Sequence, residues 1–497
     1  MQTTDSLKVS NFEANSDVKT DLLDQIIQES KVAKSKDEHS RAKDIIAELI
    51  KEVMEGTVVV SDNLCANIDA RIVQLDELLS SQLSLIMHAP EFQKLESSWR
   101  GLEYLCKQSV TGPMLKIKII NTNKKELTKD FQGALEFDQS TLFKRIYSEE
   151  FGTFGGEPFA ALIGDFEFSR QASDMYLLGE ISHVAAAAHA PFISSAAPEL
   201  LGLESFTDLG KPRDLAKVFD TLDYIKWKSF RESEDSRYVG LTLPHFLGRL
   251  PYDPKEGTTV EGFNFVEDVD GTNHEKYLWV NAAYAFGARL TNAFDLYGWC
   301  AAIRGVEGGG LVEDLPSHTF KTDDGEIALK CPTEISITNR REKELSDLGF
   351  IPLVHCKNTD YAAFFGAQSV QKAIKYDSAA ANANANLATQ LQYIMSVSRI
   401  AHYMQSILIN KVGSFGTAGN LQDFLNQWIK NYVLLDDGGS QEAKARYPLR
   451  EASIQVFDVP GKRGVYKAVA LLRPHFQLDE LSVALKLVAE LPKPAGI

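Results

Sequence analysis

Ser453-Ile454-Gln455-Val456-Phe457-Asp458-Val459 is followed by Pro460-Gly461-Lys462-Arg463-Gly464 and then by Val465-Tyr466-Lys467-Ala468-Val469-Ala470-Leu471-Leu472. Ile454, Val456 and Phe457 suit a short extended segment, the Pro-Gly stretch reverses it, and Pro474 stops the returning run. A third run, 481–491, alternates Leu481, Val483, Leu485 and Leu487 against Ser482, Ala484 and Lys486, which is the period of a strand. Leu481, Ala484, Leu485 and Val488 also fit one helix face, so that reading stays open. A two-stranded hairpin is marginal alone, and exposed edges are normally blunted or paired. The tail therefore reads as strands that seek partners, other copies of the chain among them.

The remainder must supply the core. At 497 residues the chain is long enough for two or three domains, and a 44% hydrophobic content is ordinary for a globular protein. A formal net charge of −16 argues against nucleic acid or an anionic membrane as direct partner. No apolar run approaches the roughly 18 to 20 residues of a membrane span, and the polar opening MQTTDSLKVS lacks the regions of a signal peptide, which implies the cytoplasm. The five cysteines, Cys65, Cys106, Cys300, Cys331 and Cys356, form no Cys-x-x-Cys pair and read as buried thiols in a reducing compartment.

Periodicity divides the chain. Residues 1–56 hold two amphipathic helices flanking the charged, core-poor stretch 31–40. One carries Val18, Leu22, Leu23, Ile26 and Ile27; the other carries Ala42, Ile45, Ile46, Leu49, Ile50 and Val53. Each stripe either packs on its own body or enters a groove on another protein. Residues 57–150 are mainly helical: Leu64, Ile68, Ile72, Leu75, Leu79, Leu83 and Ile86 recur in steps of four and three, a narrow coiled-coil-like seam. Pro90 ends that helix, 91–107 forms a second, and 114–120 reads as a strand.

Residues 151–376 alternate. Strand 159–163, helix 173–189 and strand 192–195 predict a parallel pair. Strand 238–243, helix 277–299 and a hairpin turning at Asp323-Asp324-Gly325 follow. Then come strand 335–338, a helix opened by an Asn339/Glu342 capping box and closed by Gly349, and strand 350–355. Residues 377–497 begin with a helix to about Val412, broken by Gly413, Gly416 and Gly419, and continue with helix 421–435 before the terminal strands. The fold class is α/β of the mixed α+β kind: a helical front, central mixed sheets, and a C-terminal hairpin plus last strand.

Candidate chemistry is fragmentary. His183 and His189 share a helix but point about 240° apart, so they cannot chelate one metal. His355 and Cys356 face opposite sides of a strand, which argues against a thiolate–imidazole pair from that segment. The glycine run 305–310 lacks the lysine and strand-to-helix context of a phosphate cradle and reads as a flexible loop. Glu267, Asp268 and Asp270 miss the EF-hand spacing and read as a solvated turn. The charged stretch 231–237 suits a solvated helix end or a salt-bridged subunit contact equally. These residues call for no cofactor and no metal.

Four strings carry a resemblance: Glu91-Phe92-Gln93-Lys94-Leu95-Glu96-Ser97-Ser98-Trp99-Arg100-Gly101-Leu102-Glu103-Tyr104-Leu105; Gly164-Asp165-Phe166-Glu167-Phe168 with Ser195-Ala196-Ala197-Pro198; Leu243-Pro244-His245-Phe246-Leu247-Gly248-Arg249-Leu250-Pro251-Tyr252; and Cys331-Pro332-Thr333-Glu334. In this order they resemble the type VI secretion contractile sheath large subunit, called TssC, VipB or EvpB, over residues 60–497. The resemblance implies a non-enzymatic protein that pairs with a small sheath subunit of the TssB or VipA type. With other copies of itself it would stack as six-fold rings around an inner tube of hexameric Hcp, above a baseplate, and propel that tube by contracting.

The resemblance further implies that the seam from Leu64 to Ile86 packs against helices of the small subunit. The hairpin bearing Ile454, Val456, Val465 and Val469 would take strands from neighbours, one from a small subunit and one equivalent to the strand of Leu481, Val483, Leu485 and Leu487 of another copy. The AAA+ unfoldase ClpV would recognise the helix of Val18, Leu22, Leu23, Ile26 and Ile27, and the helix 420–432 would face the inner tube through Asp423 and Lys430. No nucleic acid and no membrane insertion is implied. The rival reading is a cytosolic α/β enzyme using Asp165 and Glu167 at a strand's C-terminal end. A phage-like tail sheath is a closer cousin.

Overall fold

The computed structural model describes residues 64–458, apart from 212–213, 255–256, 258–262, 323, 412–416 and 437. It also describes 466–475 and residues 40, 41, 43, 44, 47, 48 and 51. Its strands are β1 (Leu162–Phe168), β2 (Phe192–Ala196), β3 (Val239–Leu243), β4 (Phe246–Leu247), β5 (Trp279–Val280), β6 (Leu311–Val312), β7 (Thr319–Lys321), β8 (Ile327–Leu329), β9 (Ile351–His355), β10 (Ala362–Phe364), β11 (Leu449–Asp458) and β12 (Tyr466–Pro474). The longer helices are α1 (Leu64–Met87), α2 (Pro90–Gln108), α3 (Lys124–Gly133), α4 (Ala172–Ala187), α5 (Ala282–Tyr297), α6 (Asn339–Asp347), α7 (Ala379–Ala388), α8 (Leu391–Asn410) and α9 (Ala418–Ile429).

The expected strand–helix–strand unit is present as β1, α4 and β2, with β1 and β2 parallel, although β1 begins three residues after the expected 159. The unit grows into a six-stranded sheet of order β1-β2-β3-β9-β10-β6, parallel from β1 to β9 and antiparallel beyond. Both faces are covered, and the side chains alternate accordingly. Phe192 and Val354 enter the core that holds α4, while Ile193, Ile351 and Leu353 enter the core under α5. A strand buried on both faces tends to a near-continuous apolar run, as 351–354 shows, whereas 192–196 buries Ser194 and Ser195 by donating their hydroxyls to the Gly164, Phe166 and Thr242 carbonyls.

By contact the chain forms two units, residues 1–84 with 252–268 and residues 85–251 with 269–497. In the first, α1 carries the 252–268 loop on serines: Ser80 Oγ accepts from the Val266 amide at 3.3 Å and Ser84 Oγ from the Asp268 amide at 3.2 Å. Glu267 is buried in that loop, its Oε2 accepting from the Tyr252 amide at 3.0 Å, so it is no solvated turn residue. In the second unit a third core gathers Trp299, Ile400 of α8, Leu421, Leu425 and Ile429 of α9, and Leu449, Ile454 and Val456 of β11.

Several local expectations yield to tertiary hydrogen bonds. The 335–338 segment is no strand, because Glu334 donates its amide to the His245 carbonyl and the chain then turns into the Thr338 N-cap. Thr338 rather than Asn339 caps α6, accepting from Arg341. Gly349 closes α6 at φ 86°, a conformation glycine adopts without strain. The alanine-rich helix is split at Thr389-Gln390, where Ser369 donates to the Thr389 carbonyl and Leu391 to the Ala367 carbonyl, both at 2.8 Å. α8 ends at Asn410, and Gly419, expected in the break that follows it, lies in the first turn of α9. The glycine run 305–310 is hydrogen-bonded into a tight turn, Gly305 donating to Phe364 at 2.7 Å and Gly310 to Gly305 at 2.8 Å.

Candidate assembly surfaces

The four strings quoted above meet in a polar brace whose Glu96, Arg249, His245 and Glu334 side chains are largely buried and whose Glu167 is exposed. Glu96 of α2 accepts from Arg100 Nε and Arg249 Nε, each at 2.7 Å, and these guanidinium groups outweigh burial to hold its carboxyl below the ordinary range. His245, just past β3, binds Glu334 through Nδ1 at 2.7 Å and Glu167 of β1 through Nε2 at 3.0 Å. His274 adds a third imidazole-to-carboxylate contact, to Glu334 at 3.0 Å. Burial works against charge here, but the opposite charges win: Glu334 is held near pKa 2 and His245 stays protonated well above its usual value. The string around Gly101 has a steric reason as well, since a Cβ there would lie 2.3 Å from the Tyr284 ring of α5.

The carboxylates of the brace already have basic partners, which bears on the enzyme reading. Glu167 is engaged by His245, and burial, with the Asp165 carboxylate adding to it, pushes the Tyr284 phenol's pKa up. His183 pairs with Asp235 at 2.7 Å and His189 with Tyr238 at 3.2 Å, so the two histidines serve different contacts. Among the described residues no cluster of His, Cys, Asp and Glu could hold a metal ion, and no helix is long and apolar enough to cross a membrane.

Three surfaces are left unfinished instead. On α1 the amphipathic order is inverted: Ser80 and Ser84 are buried, whereas Ile68, Ile72, Leu75, Leu79 and Ile86 are exposed, Leu79 at 55%, and Leu83 is half-buried. Leu64 opens the helix, and its side chain lies outside the described residues. A run of this kind exceeds what a monomer ordinarily shows to water.

The second surface is a groove of about 2530 Å³ lined by 113–125, by β1 and by α2, far larger than a small-molecule pocket. The expected strand 114–120 forms one wall but makes no ladder with any strand among the described residues. Lys116 and Lys118 pin it through ion pairs to Glu157 and Glu150. Met114, Ile119 and Trp99 are exposed there, and β1 is an edge of the main sheet.

The third is the C-terminal hairpin, in which β11 and β12 pair antiparallel with Ile454 opposite Ala470 and Val456 opposite Ala468. Ile454 and Val456 are buried on α9, whose Asn426 and Gln422 side chains bond their backbone groups. These bonds seal the outer edge of β11. Residues facing each other in such a non-hydrogen-bonded pair both direct their backbone groups outward, so Ala468 and Ala470 point theirs along the edge of β12 that pairs with no strand among the described residues. Val469 and Leu471 are exposed beside it, as are Asp423 on α9 and Lys430 just after it. Val465, Leu481, Val483, Leu485 and Leu487, the helix of Val18, Leu22, Leu23, Ile26 and Ile27, and the stripe of Ala42 to Val53 all lie outside the described residues.

Family models match in two consecutive segments: the EvpB tail sheath N-terminal domain (VipB) over residues 69–371 and the EvpB tail sheath gpW/gp25-like domain over 380–491. This chain belongs to the VipB/EvpB tail-sheath family. A family member, the type VI secretion system sheath protein TssC1 of Pseudomonas aeruginosa, is 49% identical over 448 residues, covering 89% of this chain and 90% of that one. The sheath complex of an extracellular contractile injection system in its contracted state aligns at TM-score 0.33 and 7% identity, over 63% of this chain and 68% of that one. As a VipB-type tail-sheath protein, the chain is a structural subunit of a type VI contractile sheath and not an enzyme.

Proposed function

We propose that this sheath protein assembles with a small sheath subunit and with further copies of itself into a cytoplasmic helical tube around an Hcp inner tube, and that contraction of the tube propels Hcp outward. The observation that carries this is the asymmetry of the C-terminal hairpin: β11 is sealed by Asn426 and Gln422, while Ala468 and Ala470 on β12 retain outward backbone groups. An added strand of about five ladder bonds, at roughly 0.5 to 1.5 kcal/mol net each, contributes several kcal/mol per joint. The strand containing Leu481, Val483, Leu485 and Leu487 of a neighbouring copy is its occupant in this reading.

The exposed seam of α1 and the groove beside β1 support the small subunit as the other partner, which supplies helices to the first and an extended segment to the second. Asp423 and Lys430 are the polar contacts offered to the inner tube, the helix of Val18, Leu22, Leu23, Ile26 and Ile27 is the handle for ClpV, and a baseplate anchors one end. Co-expression with a small-subunit gene, followed by electron microscopy, tests the proposal: long tubular particles are expected, and a discrete soluble oligomer overturns it. Leu22→Asp with Ile26→Asp is expected to abolish ClpV binding while tubes still form; undiminished binding removes the handle.

A further inference from the structure

Resting on the reading that an extended segment of the small subunit fills the groove beside β1, we propose that Arg399 selects that segment by receiving an Asp or Glu side chain from it. Arg399 lies on α8 and is the one arginine among the described residues that line the groove. Its guanidinium carbon is 4.8 Å from the centre of the Tyr403 ring, one turn further along α8, and 6.0 Å from that of Phe294 on α5. Two elements thus fix its place. Cation–π contacts attract the charge without using its N–H donors. Among the described residues no hydrogen bond or ion pair engages those donors, and Nε is buried without a partner.

Other cations of this acidic chain, whose net charge is −16, find carboxylates: Arg100 and Arg249 share Glu96, and Lys116 and Lys118 pair with Glu157 and Glu150. Arg399 is half-buried and has none. A desolvated guanidinium with idle donors carries a cost that an incoming carboxylate removes, and its planar fork matches the two oxygens of that group.

The walls on either side of β1 set the character of the rest of the segment. Leu105 and Leu290 line the groove from the core under α5, and Leu127, Ile146 and Ile181 line it from the core that holds α4. A strand added to this edge lies between two apolar layers and is itself apolar on both faces. Within such a run a charge is costly unless paired, so its acidic residue belongs opposite Arg399. Asn281 donates to the Phe166 carbonyl and Gly287 lies against Ile163, so α5 runs back along β1 and carries Phe294, with Arg399, towards the Leu162 end. The carboxylate therefore marks one end of the inserted run and sets its register. A segment without it leaves the guanidinium covered and unpaired, which discriminates against wrong occupants.

The test titrates the full chain with purified small sheath subunit. Arg399→Glu is expected to weaken binding at least ~10-fold, the effect of reversing one member of a close charge pair. Changing one acidic residue of the small subunit to lysine is expected to restore it, a rescue that a merely structural role for Arg399 would not produce. Arg399→Met keeps the bulk of the side chain beside Phe294 and Tyr403. Its effect and that of neutralising the same acidic residue should be non-additive, which tests the pair even if R399E does not fold. Wild-type affinity in a folded R399E or R399M protein overturns the proposal. So does a loss that no acidic side chain of the small subunit accounts for, as when the segment is held by its C-terminal carboxylate. A wild-type chain that does not bind the small subunit at all overturns the groove reading itself, and this pairing with it.

Discussion

Asn426 closes on the backbone of Ile454 from both sides, Nδ2 donating to its carbonyl at 2.7 Å and Oδ1 accepting from its amide at 2.9 Å. One carboxamide thus imitates the strand that would otherwise extend the sheet, and it decides which edge of the hairpin remains available. Asn426→Ala leaves two buried backbone groups unpaired, each costing about 1–3 kcal/mol. Urea denaturation should show a loss of at least ~2 kcal/mol, and an unchanged midpoint would mean that the edge is not sealed.

Proline scanning separates the two edges. Ala470 directs its amide outward and the adjacent Val469 directs its amide toward β11, opposite Gln455. Ala470→Pro is therefore expected to spare the fold and stop tube formation, whereas Val469→Pro should break the hairpin itself. Circular dichroism and electron microscopy of the two variants check this; normal tubes from A470P would refute the role given to β12.

The exposed seam makes a complementary prediction. Leu75→Asp with Leu79→Asp changes residues already in water, so thermal stability of the isolated chain should barely move. Each leucine buried by a partner contributes about 1.5–3 kcal/mol, so the pair should reduce small-subunit affinity by at least ~100-fold in a pull-down titration. Undiminished co-purification would rule the seam out.

Titration of the brace has a definite sign. Glu334 is depressed from 4.5 to about 2, so its contribution is complete above about pH 4.5 and disappears as the pH falls through 2. His245 is raised from 6.5, so its contribution is complete below about pH 6.5 and disappears as the pH climbs through the higher folded value. The stability gap between wild type and His245→Gln, measured by denaturation from pH 5 to 9, should therefore shrink as the pH rises. Glu334→Gln, which breaks a buried pair, should cost about 3–5 kcal/mol near neutrality.

At the crossing of α2 and α5 the Gly101 site admits no side chain, because a Cβ would lie 2.3 Å from the Tyr284 ring. Gly101→Ala should destabilise by about 1–3 kcal/mol despite its better helix propensity, and Tyr284→Leu should relieve part of that loss. Differential scanning of the single and double variants measures the coupling.

Local pattern alone determined the elements whose physics is local: the helix α1 from its steps of four and three, the β1–α4–β2 unit from its apolar runs, and the paired strands β11 and β12 from theirs. The ordered strings from Glu91 to Glu334 carried the family, though nothing in them disclosed that they meet at Glu96–Arg249 and Glu167–His245–Glu334. Tertiary structure alone decided the outcomes that depend on distant groups. It left 114–120 without a ladder, split the helix at Thr389, moved the cap to Thr338, put serines rather than leucines on the buried side of α1, and let Asn426 seal β11. The physical reason is common to all of these. A backbone amide or an apolar face is satisfied by whatever lies beside it in space, and periodicity records only which groups need satisfying.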